Sequence, residues 1–315
     1  MVAIILALPV NAIHAQTSNE EQILKADRLR SEGQPQAAVS ILEPLVQPGS
    51  APLSPTELGV AWNVLASSYQ DLELPAKARA GYNIAMGKLQ SIASAQPQYA
   101  AALANLGALD DSLGQRDAAK DLIEKANRIY EGLGDAGGSV VTATSLAAIA
   151  YRRADFKVSR RYLARAVEQQ AHTTGMRDDD LSALRSLQGA MAFHDRQYEE
   201  SIDRVQMAID GWTRAHGPSF FMLGLAYCLR AQARAKLGDF PRALADVQHA
   251  LTVVEAAHGK NTVGYFRAQI VYARILQASG EKQQASQLNK DARRSLAELE
   301  SRQCHGCTID VSAFR

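Results

Sequence analysis

The chain has 315 residues, with 34 basic against 33 acidic side chains and a formal net charge of +1. That balance provides no global field for nucleic acid or an anionic membrane, so neither is expected as a partner. Apolar residues at 47% and a mean hydropathy of −0.18 exclude disorder and a polytopic membrane protein. The 54 alanines, with aromatics at only 6%, lean toward an all-α chain, and three cysteines exclude a disulfide-dense scaffold.

The chain opens on MVAIILALPVNAIHAQ, an apolar run from Val2 to Val10 followed by small residues up to Ala15. This pattern reads as the apolar region and cleavage zone of a signal peptide over residues 1–15, incomplete because the first basic residue is Lys25. The run is about half of the ~20 apolar residues that span a bilayer, so no stable membrane span is expected. Export to a periplasm or beyond follows from this reading; a cytoplasmic chain with an apolar end is the alternative.

From Gln22 onward one unit recurs. A small residue early in each copy falls at Ala26, Ala66, Gly107, Ala147, Gly189, Ala231 and Ala273, a period of 40 to 42 residues. Twelve positions later stand Ala38, Ala78, Ala119, Ser159, Ser201, Ala243 and Ala285. After nineteen come Ala85, Ala126, Ala166, Ala208, Ala250 and Ala292. Small residues at helical spacing on two successive segments predict two antiparallel helices in close approach. Gly33, Gly114, Gly238 and Gly280 fall at the turn between them, where a left-handed residue ends a helix at low steric cost. In Gly238-Asp-Phe-Pro241, Asp239 is expected to cap the next helix. The run Asp178-Asp179-Asp180 is expected to cap a helix starting near Leu181.

These positions resemble the tetratricopeptide repeat (TPR), whose small and aromatic sites they match from about Gln22 to Ser295. His-Gly closures at Gly175, Gly217 and Gly259 resemble the 42-residue repeats of kinesin light chains and their bacterial relatives. Two departures stand out: Trp62 has no counterpart Trp, and Arg230 and Arg234 occupy places usually apolar. The resemblance implies an all-α, right-handed superhelical solenoid of about seven repeats over residues 22–302, capped by the polar helix Ser286–Arg302. It also implies a concave groove lined by the first helices. Groove positions lie one and four steps after the small residue, giving Ala148 with Tyr151 and Ala190 with Phe193. The next residues along are Arg152, His194 and Lys236, and Arg267 and Arg274 follow toward the C-terminus. A small floor, an aromatic wall and cations suit an acidic extended or helical peptide; the alternative is that Tyr151 and Phe193 pack between helices. Ser67, Gln70, Asp71, Ala108 and Asp111 hold the corresponding places nearer the N-terminus, so the groove is expected to change sign. The Lys and Asn clamp by which co-chaperone TPRs hold a terminal carboxylate is absent.

Residues 303–315 form a tail with Cys304-His-Gly-Cys307, expected as a simple disulfide in an exported chain. No thioredoxin-like pattern surrounds it, so redox catalysis is the remote alternative. The histidines make no metal-ligating pair, and no phosphate loop or nucleophile elbow occurs, so no cofactor, metal or enzymatic activity is expected. The sequence therefore points to a non-enzymatic protein-interaction scaffold that binds a peptide or helix of a partner. A peptide-sensing regulator acting in trans is the second reading.

Overall fold

The computed structural model describes residues 10–49 and 52–303, and among these fourteen α-helices and one 3₁₀ turn make up the ordered elements. The chain divides into two compact units, Met1–Thr142 and Ala143–Arg315. The first unit holds α1 (Val10–Ser31), α2 (Pro35–Val46), α3 (Pro55–Asp71), α4 (Pro75–Leu89), α5 (Gln96–Ser112) and α6 (Arg116–Leu133). α7 (Ala136–Arg152) runs through the division. The second unit continues with α8 (Phe156–Ala171), α9 (Asp178–His194), α10 (Tyr198–His216), α11 (Met222–Lys236), α12 (Phe240–His258), α13 (Val263–Ser279) and α14 (Lys282–Gln303). Odd-numbered helices are the first of each pair and even-numbered helices the second. Within the units α2, α4, α10 and α12 each pack on their own first helix and on the next one, while α6 packs on α5, α8 on α9 and α14 on α13.

The small residues do what their spacing predicts. Ala66, Ala147, Ala231, Ala38, Ala78, Ala119, Ala243, Ala85, Ala126, Ala166, Ala208 and Ala250 are wholly buried, as are Ser159 and Ser201. Where glycine stands in this role, contact is tighter than any side chain allows. A Cβ on Gly107 would meet Ile123 at 2.5 Å, and one on Gly189 would meet Val205 at the same distance. Larger apolar side chains fill the space between pairs. In the first unit Leu42, Leu65 and Tyr82 form one core; in the second, Val205, Ile209, Trp212 and Leu223 form another.

The turn inside each pair is the most regular feature. Its left-handed residue falls seven positions after the small residue in every copy. Glycine serves at Gly33, Gly114, Gly238 and Gly280, but Glu73, Ala154 and Arg196 adopt the same backbone at φ near 60°. In all seven copies the following amide donates to the carbonyl five residues back, from Gln34 to Leu29 through Leu74 to Tyr69 and on to Glu281 to Leu276. That bond is the signature of a Schellman closure. Four helix starts carry a side-chain cap. Ser54 and Glu57 form a reciprocal capping box on α3, and Asp155, Asp239 and Thr262 accept from the amide three residues on at α8, α12 and α13.

Two expectations change. Asp178–Asp180 do not cap a helix from outside; they form the first turn of α9, whose N-cap residue is Arg177. Each carboxylate has a partner there: Asp178 with Arg214, Asp179 with His216 at 3.0 Å, and Asp180 with Arg177. The polar helix expected over Ser286–Arg302 is not an added cap but most of α14, the second helix of the seventh pair. The expected leader falls largely outside the described residues, although α1 already begins at Val10. Cys304, Cys307 and the rest of the tail also lie outside them. Among the described residues no helix is long and apolar enough to cross a membrane.

Candidate interaction face

In the second unit the first helices α9, α11 and α13 lie side by side, in register by 42 residues. On α11, Leu223, Arg230 and Ala233 are buried toward the second-helix layer. Residues 221, 225, 229, 232 and 236 share the opposite face at helical spacing. There Phe221 is 45% exposed and Leu225 57%, with Leu229 half-buried behind them. Scattered single apolar residues on a surface are ordinary, but three at four-residue spacing make a stripe. Phe221 also joins an aromatic cluster at the head of α11. It packs edge-on to Phe220 and to His258, and Phe220 stacks on His216 at 4.0 Å.

Of the residues expected in the groove, each aromatic packs on the first residue of the next helix, and Tyr151 also reaches the following repeat. Tyr151 is half-buried, donates from its hydroxyl to the Ala190 carbonyl at 3.3 Å, and packs edge-on to Phe156. Burial pushes its phenol above the ordinary range. His194 stacks on the same Phe156 at 3.6 Å, and Phe193 packs edge-on to Tyr198 at the start of α10. Tyr151 and Ala190 are thus brought together, and His194 joins them through Phe156. Ala148 is half-buried, whereas Arg152, Lys236 and Arg274 are exposed at the ends or faces of their own helices. Both aromatics touch the helix that follows their own, and the exposed stripe lies one pair further on from Phe193. Sequence reasoning passed over Phe221, Leu225 and Leu229 because α11 is apolar around most of its circumference. Their i, i+4, i+8 spacing was the available signal.

Beneath the stripe lies a buried ionic cluster. Arg230 clasps Asp246 of α12 through Nε at 2.9 Å and Nη2 at 2.6 Å, and Arg234 reaches the same carboxylate at 2.8 Å. Arg230 also donates to Gln206 of α10, so three helices are tied at one point. Burial, then the neighbouring Arg230, pushes the Arg234 guanidinium below its usual range. This explains the two arginines at places usually apolar: each has the same carboxylate as counter-ion, and the cluster keeps one surplus positive charge. Cys228 is buried beside it, and burial raises its thiol to about 12.

The first unit presents a different surface. There Ser67 and Gln70 both engage the Tyr82 hydroxyl, at 3.1 and 2.9 Å, and Asp71 pairs with Arg30 of the preceding first helix. Asn105 donates to Asn63 at 3.2 Å, linking α5 to α3. α3 and α5 contain no Lys or Arg, whereas α11 and α13 contain no Asp or Glu. The first helices α1 and α9 carry both signs. Among the described residues no group of three or more His, Cys, Asp or Glu is placed to hold a metal ion.

A family model for the tetratricopeptide repeat matches residues 222–298, the segment from α11 into α14. No curated protein matches the chain in sequence. Solved structures share its fold. One is a Rap protein complexed with Competence and Sporulation Factor, at 12% identity over 91% of this chain and 78% of that one, TM-score 0.63. Another is the apo quorum sensor NprR from B. thuringiensis, at 10% identity over 90% and 87%, TM-score 0.59. A third is a tetratricopeptide repeat protein from Parabacteroides merdae, at 16% identity over 90% and 98%, TM-score 0.51. The chain is thus similar to the tetratricopeptide repeat in sequence over its last two pairs, and it shares the fold of solved tetratricopeptide repeat structures along most of its length.

Proposed function

We propose that this protein is a non-enzymatic interaction module that captures a peptide or helix of a partner on the exposed first-helix face of its second unit. The observation that carries the reading is the stripe of α11, where Phe221 and Leu225 are exposed and Leu229 is half-buried against the core behind them. Interfaces draw most of their affinity from a few such anchors, and a preformed helix face loses little order on binding. Fold neighbours described as complexed with a factor and as a quorum sensor support a face of this kind taking a peptide. They also favour the second reading, a peptide-sensing regulator acting in trans through the same face.

Leu225→Glu places a charge in the stripe without touching the core. It is expected to weaken partner capture by about tenfold or more, a loss near 1.4 kcal/mol, with helicity and melting unchanged. Met207→Glu, on an exposed position of the second helix α10, serves as the control and is expected to bind as wild type. Equal loss in both variants, or in neither, overturns the assignment. Export remains part of the proposal and is tested by sequencing the N-terminus of the mature chain. Insulin reduction by the full chain tests the remote thiol reading at Cys304 and Cys307.

A further inference from the structure

We propose that the captured segment is an acidic amphipathic helix, lying along α11 with its apolar side on Phe221, Leu225 and Leu229 and its carboxylates toward the cations of α11 and α13. This rests on the reading of the first-helix face given above, and three observations carry it further.

The stripe runs eight steps from Phe221, the N-cap residue of α11, to Leu229, about 12 Å at 1.5 Å per residue. Its four-residue spacing forms a ridge that fits the groove of a second helix. An extended strand, alternating every second residue, would meet that ridge with only every other side chain. Beside it, in the same register, α9 presents Ala183, Ser186 and Ala190, exposed or half-buried. Small side chains there allow a helix backbone to approach to about 8–10 Å between axes.

Charge then selects the class of helix. On this side α11 presents Lys236, and α13 presents Arg267 and Arg274, and neither helix holds a carboxylate. The carboxylates of α9 are confined to its first turn and are engaged by Arg177, Arg214 and His216. A basic or neutral helix would meet repulsion or no complement; an acidic one meets cations along its length.

The test uses the full chain and a displayed library of helical peptides about five turns long, randomised on both faces. The library is sorted for binding to wild type and against binding to Leu225→Glu. The selected peptides are expected to be rich in Asp and Glu, with apolar residues at i and i+4. Their affinity is expected to fall about tenfold in Lys236→Glu, to persist in Lys236→Arg, and to weaken as salt is raised. Binders that depend on Leu225 but are basic, neutral or rich in proline overturn this inference and leave the face itself standing. A library yielding no peptide that separates wild type from Leu225→Glu overturns both. A concentration-dependent dimer dissociated by Leu225→Glu assigns the stripe to a second copy of the chain and overturns the acidic-helix proposal.

Discussion

Arg196, Ala154 and Glu73 hold a backbone that glycine holds in the other four copies of the same turn. A side chain in the left-handed region costs about 1–2 kcal/mol, against which glycine loses some unfolded-state entropy. Arg196→Gly and Ala154→Gly are each expected to raise stability by about 0.5–1 kcal/mol, read as a higher melting temperature. Gly114→Ala is expected to lower it by a similar amount. Nothing in the sequence marked residues 73, 154 and 196 as left-handed except their place in the repeat; residue type argues against it. At Asp246 the expectation runs the other way. Asp246→Ala leaves two buried guanidiniums facing each other and is expected to cost about 3 kcal/mol or more. A variant as stable as wild type by chemical denaturation would contradict the shared-carboxylate cluster. The neighbouring Cys228 thiol, raised to about 12 by burial, is expected to resist alkylation at pH 8 until the second unit unfolds. A chain with Cys304 and Cys307 replaced by Ser isolates that readout.

At the scale of helices, close approach decides the pairing. Gly189 stands against Val205, with the Ser201 carbonyl 3.2 Å from where a Cβ would lie. Gly189→Val is expected to cost about 1–3 kcal/mol by overpacking, since backbone as well as side chain would have to move. These pairs were legible because alanine, serine and glycine at intervals of twelve and nineteen serve nothing but contact between helices. The face of each helix was harder to read. Tyr151 and Phe193 sit at groove positions of the repeat, yet Phe156 and Tyr198, the first residues of the following helices, draw their rings into the joints. Phe221 and Leu225 were hidden by the reverse problem. Core positions on α11 are also apolar, so periodicity alone did not separate the outer stripe from the inner one. Asp178–Asp180 illustrate a third limit: an acidic run before an apolar segment suits both a cap and a first turn. Here the basic partners Arg177, Arg214 and His216 fix it as the latter.

Across the whole molecule, a near-neutral net charge conceals a segregation. First helices α3 and α5 hold only acidic charges, and α11 and α13 only basic ones, while the second helices α6, α8, α10, α12 and α14 carry both signs. A repeat that needed only to stack has no use for such sorting, because exposed charges contribute little to stability. A repeat that selects partners does, since complementary surfaces steer and discriminate. The central claim is that the exposed face of α11 is where a partner sits. It is tested most directly by placing a photo-reactive amino acid at position 232, on the same face as the stripe, and separately at position 207, on α10, in the native host. The account predicts a discrete protein adduct from 232 whose cross-linked segment is acidic and helical, and none from 207. The same adduct from both positions, or from 207 alone, would contradict it.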